Sequence, residues 1–245
     1  MALSGLPGAV EADLHAPALR DYWRARAEQH TADSYVGVPM SKFPEDLRVY
    51  EHLLWLAQPD VVIELGVQHG GSTLWLRDRL AALERYTGRS GRVLGVELHD
   101  EAARANIERA DPSWSNITLM QGDVCDPGLP ARVRELVPTA ASCLVIEDTA
   151  HVYETTRAAL EGFAAFVPPG GFFVVEDGCV DDEELRFEGW PRGVLPAVRD
   201  WLDTPPGQEF AVRRELELYG VTCHPSGFLQ RTPPTRPPLS AAPHG

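Results

Sequence analysis

The chain has 245 residues, of which 44% are hydrophobic, enough for one large domain with a full core. Its 36 acidic residues outnumber the 22 Lys and Arg residues, giving a formal net charge of -14. Because nucleic acids and anionic membranes are bound largely through Lys and Arg, this balance argues against both as partners.

No signal-peptide pattern is visible, and no apolar run approaches the roughly 20 residues that cross a bilayer. A cytoplasmic location is therefore expected. The four cysteines have neither CxxC nor Cys/His metal spacing, and we expect reduced thiols at Cys125, Cys143, Cys179 and Cys223.

An N-terminal arm is predicted over residues 1–36, polar and Ala-rich, with a weak helical pattern around Tyr22–Gln29. Pro44 then favours the first turn of a helix with apolar residues at helical spacing.

Short apolar runs next alternate with helical patterns. Five of them predict buried strands at Val61–Leu65, Val93–Leu98, Ile117–Gln121, Cys143–Asp148 and Phe172–Asp177. A helix around Val194–Leu202 and strand-like pieces near Glu209–Val212 and Phe228–Gln230 follow. This alternation predicts an α/β, Rossmann-like fold with a mostly parallel seven-stranded sheet and helices on both faces. The Pro-rich tail, 232–245, is predicted to be disordered.

A glycine-rich turn, Glu64-Leu65-Gly66-Val67-Gln68-His69-Gly70-Gly71-Ser72, ends the first of these strands. Ligands of open α/β sheets bind outside the carboxyl ends of the strands. Gly66 and Gly70 would let the backbone approach a ligand closely, and Ser72 could cap the next helix. Gln68 breaks the GxGxxG dinucleotide pattern. The motif has instead the looser E-x-G-x-x-x-G form that methyltransferases use, which favours S-adenosylmethionine (SAM). Taken alone, an ordinary strand-to-helix turn explains it equally well.

Two further acids follow the next two predicted strands. Glu97 stands where a carboxylate can bind both ribose hydroxyls, and Asp123 stands where an adenine amino group is expected. Each alone could be a solvated loop acid. In strand order with Glu64, Gly66, Gly70 and Ser72, they predict a SAM site.

Acidic residues also end the fourth and fifth strands, which should be neighbours about 4.8 Å apart. Carboxylates crowded at Asp148, Glu176 and Asp177 would repel one another unless a hard cation such as Mg²⁺ lay among them. In a helical turn, His151 would project over the same site and could take a proton from an acceptor. The alternative is that these acids lie in ordinary solvated loops. For Glu147, this alternative is the preferred interpretation.

These motifs resemble the cephalosporin-hydroxylase and rhamnosyl O-methyltransferase family. The resemblance spans about residues 37–231 and includes Gly37–Leu47, the glycine-rich turn, Gly95–Glu97, Gly122–Asp123, Asp148-x-x-His151, Val175–Asp177 and His224–Leu229. It implies a SAM-dependent methyltransferase domain over 37–231, magnesium on Asp148, Glu176 and Asp177, and His151 as general base. Glu147 departs from the pattern, which has an apolar residue there.

The resemblance further implies O-methylation of a small-molecule hydroxyl, on a sugar of a glycosylated natural product such as an antibiotic, by a homo-oligomer. Lys42, Tyr153, Trp190 and Arg192 lie in segments that could line the acceptor pocket. A nicotinamide dehydrogenase would need the missing GxGxxG motif. The remaining alternative is a SAM-fold binding subunit of an oxygenase system, without methyl transfer of its own. The predicted metal ligands and His151 argue against this alternative.

Overall fold

The structure is a computed structural model that describes residues 16–233. Its helices are α1 (Pro17–His30), α2 (Pro44–Ala57), α3 (Gly71–Thr87), α4 (Glu101–Ala110), α5 (Leu129–Leu136), α6 (Tyr153–Phe163) and α7 (Val194–Leu202). Its strands are β1 (Ser34–Tyr35), β2 (Val38–Pro39), β3 (Val61–Leu65), β4 (Arg92–Glu97), β5 (Ile117–Gln121), β6 (Cys143–Glu147), β7 (Phe172–Val175), β8 (Phe210–Val212) and β9 (Phe228–Arg231). The predicted tail, apart from residues 232 and 233, and the first 15 residues of the arm lie outside the described residues.

A seven-stranded sheet in the order β5-β4-β3-β6-β7-β9-β8 forms the centre of the molecule. The first five strands in this order are parallel to one another, and β9 runs antiparallel to both of its neighbours. Every residue of β3, β6 and β7 is buried, as expected for parallel strands covered on both faces. The predicted α/β fold class is confirmed, and the carboxyl ends of β3 to β7 meet along one edge.

Alternate residues of β3 face different layers of the core. Ile63 and Leu65 pack with α6 and α7, whereas Val62 packs with α2 and α3. Because side chains alternate along a strand, Glu64 lies on the same side as Val62, beneath the start of α3. The apolar packing on both faces therefore fixes which strand-end residues reach the edge of the sheet.

Helix α1 packs against the rest of the protein through Trp23, which is fully buried. The Trp23 ring lies 5.9 Å from that of Phe43 and 6.2 Å from that of Trp190, measured between centroids. The helical part of the arm thus shares a core with the predicted domain. The domain limits at 37 and 231 stay a prediction.

The turn after β3 differs from the sequence prediction in how it starts α3. Gly70, not Ser72, occupies the N-cap position, and no side chain caps the helix. The predicted cap was wrong because α3 begins at Gly71, which places Ser72 inside its first turn. Among residues 16–233, no helix has the length and apolar character needed to cross a membrane.

Candidate active site

A cavity of about 430 Å³ opens at the carboxyl ends of β3 to β7. This volume lies within the range of roughly 300–1,000 Å³ that is typical of small-molecule sites. Seven of the predicted site residues line it: Gly66, Ser72, Glu97, Asp123, Asp148, His151 and Asp177. The residues predicted to bind the cofactor and those predicted to act on the acceptor therefore share one cavity.

Glu64 and Gly70 do not line this cavity, and each has a structural task instead. The Glu64 carboxylate is buried and accepts a 2.5 Å hydrogen bond from the Thr73 hydroxyl. Burial raises the pKa of Glu64 from 4.5 to about 7, although hydrogen bonds from Ser72 and Thr73 oppose the rise. At Gly70, a Cβ atom would lie 3.0 Å from the side chain of Ile107. Glu64 therefore stabilises the start of α3 from inside the protein, and Gly70 lets Ile107 pack closely against the turn.

Glu97 holds the glycine-rich turn through backbone contacts. Its Oε2 accepts 2.8 Å hydrogen bonds from the backbone N–H groups of Val67 and Gln68. Its Oε1 accepts a hydrogen bond from the His99 N–H at 3.1 Å. Asp123 likewise accepts a 2.8 Å bond from the Cys125 N–H. Since a carboxylate has about four acceptor positions, both acids can still receive hydrogen bonds from a ligand in the cavity.

Lys42 lies between two of the acids predicted to bind metal. Its Nζ is 2.5 Å from Oδ2 of Asp148 and also contacts Oε2 of Glu176. Burial by itself lowers the pKa of Lys42, but these two carboxylates raise it well above its ordinary value. The positive group that crowded carboxylates require is therefore partly supplied by the chain itself.

Glu176 is almost fully buried and does not line the cavity. Its Oε1 accepts a 2.5 Å hydrogen bond from the Tyr50 hydroxyl, while Oε2 contacts Lys42. Burial is the largest single influence and favours the neutral carboxyl, but Lys42, His224 and the Tyr50 hydrogen bond together outweigh it and lower the pKa of Glu176. Glu176 is an ionised acid whose two oxygens both have protein partners.

Asp148, His151 and Asp177 converge at the cavity wall. Nε2 of His151 lies 3.8 Å from Oδ1 of Asp148 and 3.3 Å from Oδ2 of Asp177. The three side chains place ligand atoms within 4.8 Å of one another. Such lone-pair-bearing atoms repel unless a proton or a cation lies among them, so the donor set fits a hard divalent ion.

The route by which His151 reaches this site differs from the prediction. Asp148 to His151 form a bend rather than a helical turn, and α6 begins only at Tyr153. His151 itself has a left-handed backbone with φ of 56°. The helical spacing was wrong because β6 ends at Glu147 and the chain turns sharply before α6, yet the bend still brings His151 beside Asp148.

His224 is a neighbour of the site to which the sequence assigned no role. Its Nδ1 accepts a 3.0 Å hydrogen bond from the Asp177 N–H. Its Nε2 is buried without a hydrogen-bond partner, 3.7 Å from Oδ2 of Asp46 and 3.8 Å from Oε2 of Glu176. The only signal was its position in the segment that resembles the family's ending.

Glu147 is a buried residue rather than the solvated loop acid that the sequence suggested. Its carboxylate accepts hydrogen bonds from the hydroxyls of Thr149 and Thr156, at 2.5 Å and 3.3 Å. Burial raises the pKa of Glu147. These threonines replace water around the one polar residue of β6.

Three residues suggested for the acceptor pocket lie elsewhere in the structure. Tyr153 donates a 3.1 Å hydrogen bond to Asp200, Trp190 packs on Trp23, and Arg192 pairs with Glu183. Only Lys42 of that group reaches the cavity.

A sequence model of a known family, described as Rhamnosyl O-methyltransferase/CmcI, matches residues 28–232. The chain belongs to this family. The predicted family and its class, O-methyltransferase, are thereby confirmed. The rhamnosyl O-methyltransferase of Mycobacterium tuberculosis H37Rv is 24% identical over 82% of this chain and 79% of that protein. That of Mycobacterium leprae is 25% identical over 81% and 82%, respectively.

Solved structures show the same fold for this member of the Rhamnosyl O-methyltransferase/CmcI family. A CmcI structure with Mg and SAM is 21% identical, with a TM-score of 0.55 over 83% of this chain and 78% of that chain. An O-methyltransferase from Bacillus cereus in complex with SAH is 16% identical, with a TM-score of 0.53 over 78% and 90%. The central sheet described above is therefore that of the Rossmann-like methyltransferases.

Proposed function

We propose that the protein is a SAM-dependent, Mg²⁺-dependent O-methyltransferase acting on a small-molecule hydroxyl, on a sugar of a glycosylated natural product. The observation that carries the proposal is the single cavity that joins Glu97 and Asp123 to Asp148, His151 and Asp177. Methyl transfer requires a cofactor and an acceptor to meet in one space, because alignment of the reactants supplies much of the rate.

SAM would occupy the end of the cavity beside Gly66, Glu97 and Asp123. Gly66 lines this end of the cavity, and its missing side chain lets the turn lie directly against the backbone of Asp148. The carboxylate of Glu97 can still accept a hydrogen bond from a ribose hydroxyl, and that of Asp123 can accept one from an adenine amino group. SAM in the CmcI structure and SAH in the Bacillus cereus structure support this assignment.

Asp148 and Asp177 would hold a divalent ion on the cavity side. Glu176, the third predicted ligand, lies behind them and does not line the cavity. When bound, SAM supplies an electrophilic methyl group, and Mg²⁺ supplies a Lewis acid that lowers the pKa of a coordinated hydroxyl. Asp148 and Asp177 orient the acceptor, and Nε2 of His151 receives its proton. The CmcI structure that contains Mg supports the choice of ion.

The sugar acceptor rests on the names of the relatives, which are rhamnosyl O-methyltransferases. The test is a panel of glycosylated natural products incubated with the protein and methyl-labelled SAM, followed by mass spectrometry. We expect the mass of one methyl group to be gained on a sugar of at least one glycoside, and the gain to disappear with a chelator. SAM binding without transfer to any acceptor would favour the binding-subunit alternative.

A further inference from the structure

Asp177 stands at the point where the chain leaves β7 and turns. Its φ of 55° lies in the left-handed region, which aspartate adopts less readily than glycine. The two preceding N–H groups still follow the sheet, since that of Val175 donates to the Gly227 carbonyl and that of Glu176 to the Glu147 carbonyl. The Asp177 N–H has left this pattern, and a backbone donor inside the protein needs another acceptor.

The acceptor is Nδ1 of His224, which lies 3.0 Å from the Asp177 nitrogen. Because Nδ1 accepts, the proton of the neutral ring lies on Nε2. Nε2 faces Oδ2 of Asp46 at 3.7 Å and Oε2 of Glu176 at 3.8 Å, and these two acids favour that tautomer. The buried imidazole therefore presents its lone pair to the turn and its proton to the interior.

The position of His224 is itself fixed by the start of α2. Asp46, in the first turn of that helix, accepts hydrogen bonds from the Thr222 hydroxyl at 2.6 Å and from the Cys223 N–H at 2.9 Å. The Thr222 hydroxyl in turn accepts a 2.9 Å bond from the His224 N–H. All four residues are buried, so the imidazole cannot move away without breaking hydrogen bonds that water does not replace. A chain of buried hydrogen bonds thus runs from α2 to the turn at Asp177.

We propose that His224 is a positioning residue, whose Nδ1 holds the turn at Asp177 so that the carboxylate of Asp177 faces the cavity. The inference rests on the metal site of the proposed function and deepens it. With its N–H held, Asp177 places Oδ2 3.3 Å from Nε2 of His151. Outer partners of this kind orient a metal ligand before the ion binds, and their loss typically lowers metal affinity by about 10–100-fold.

Two substitutions separate the hydrogen bond of His224 from the packing of its ring. In His224→Asn, the amide oxygen can occupy the position of Nδ1 and accept the Asp177 N–H, although the smaller side chain leaves a void. In His224→Leu, the side chain fills the buried space but accepts no hydrogen bond. Calorimetric titration with MgCl₂ alone, without SAM or acceptor, measures the affinity. We expect His224→Leu to bind Mg²⁺ about 10–100-fold more weakly than the wild type, and His224→Asn to keep most of the affinity.

A role in core packing alone would reverse this order, because the void in His224→Asn would then do the greater damage. Urea unfolding measures that damage, and SAH binding, at the other end of the cavity, establishes that each variant is folded. His52→Leu, a substitution of the histidine that contacts Tyr219 at a distant surface, should leave the Mg²⁺ affinity unchanged. Equal losses of Mg²⁺ affinity in His224→Asn and His224→Leu would overturn the proposal.

NMR spectroscopy of the wild type tests the same hydrogen bond without a substitution. In protein labelled with ¹⁵N, we expect the chemical shift of an unprotonated Nδ1 in His224. We also expect a scalar coupling across the hydrogen bond, between this Nδ1 and the amide nitrogen of Asp177. A proton on Nδ1, or no coupling, would contradict the proposal even if neither variant of His224 folds.

Calorimetry also separates this inference from the proposed function. Binding of Mg²⁺ by the wild type and, with equal affinity, by folded His224→Leu would reject the role of His224 and leave the metal-dependent function intact. Failure of the wild type to bind Mg²⁺ would overturn the metal site and this inference together.

Discussion

Nε2 of His151 lies 3.3 Å from Oδ2 of Asp177, although the first residue follows β6 and the second follows β7. The same nitrogen lies 3.8 Å from Oδ1 of Asp148. In this position His151 can accept a proton from a hydroxyl in the cavity, or it can act as a third ligand beside the two carboxylates. The two roles have different consequences for metal affinity.

Replacement of His151 by Ala tests the proposed base. Loss of a general base lowers kcat by about 10²–10⁴ because proton removal takes place in the transition state. Affinities for SAH and Mg²⁺, measured by calorimetry, should stay near the wild-type values. His52→Ala provides a control, since His52 contacts Tyr219 at a distant surface.

Asp177→Ala should behave differently from His151→Ala, because a metal ligand acts in the ground state too. Its affinity for Mg²⁺ should fall, and excess Mg²⁺ in a kinetic assay should restore part of kcat. If His151→Ala shows the same loss of affinity and the same rescue, the histidine is a ligand and the base assignment is wrong.

Glu97 provides a test of the cofactor end. Glu97→Ala should weaken SAM and SAH binding, because it removes the acceptor proposed for the ribose hydroxyls and frees the N–H groups of Val67 and Gln68. A loss of about 1.5–3 kcal/mol is typical for a hydrogen bond to a charged group. Glu101→Ala, an exposed acid at the start of α4, should leave the affinity unchanged. Undiminished SAH binding by Glu97→Ala would reject this ribose assignment.

The sheet could be predicted because its strands carry local signals. Val61–Leu65 and Cys143–Glu147 are almost wholly apolar and are bounded by turn residues, so their burial could be read from the residues themselves. Acids that follow parallel strands must meet at one edge, which is why the positions of Asp148 and Asp177 could be predicted as well.

The contacts of Lys42 and His224 could not be predicted in this way. Lys42 reaches Asp148 across 106 positions of sequence, and no periodicity links them. The bend at His151 depends on a left-handed backbone, which β-strand and helix patterns do not encode. The pairing of charges from distant segments could not be predicted, because only the packing of the folded chain determines it.

Stability should fall as the pH rises towards neutrality, in part because of Glu64. Its folded pKa of about 7 lies above the ordinary 4.5, so the folded state binds a proton that the unfolded state releases between these values. The contribution is fully present below about pH 4.5 and is lost as pH rises to about 7. For a shift of this size it amounts to about 3 kcal/mol.

Glu64→Gln isolates this contribution because its amide stays neutral. Chemical unfolding should give the wild type and Glu64→Gln similar free energies at low pH, whereas the variant should be the more stable protein above pH 7. A constant difference between the two proteins at every pH would show that Glu64 does not take up a proton on folding.

Gly66 is the position at which the fold tolerates a side chain least. Its φ is +90°, and a Cβ atom would lie 1.9 Å from the backbone oxygen of Asp148. Gly88 also has a positive φ, of +70°, but a Cβ there meets nothing within 4 Å. Gly88→Ala should therefore cost only the left-handed backbone strain, about 1–2 kcal/mol.

Gly66→Ala must bear that strain and also force β6 away from the turn, because the clash is with backbone that cannot rotate aside. We expect a loss of at least about 4 kcal/mol in the free energy of unfolding, beyond the range of ordinary substitutions. Urea unfolding of the two variants measures the difference. Movement of Asp148 should also lower the Mg²⁺ affinity of any Gly66→Ala protein that folds, whereas Gly88→Ala should bind normally. Equal stabilities for the two variants would mean that the turn and the end of β6 are not in the close contact described, and that Gly66 serves only backbone conformation.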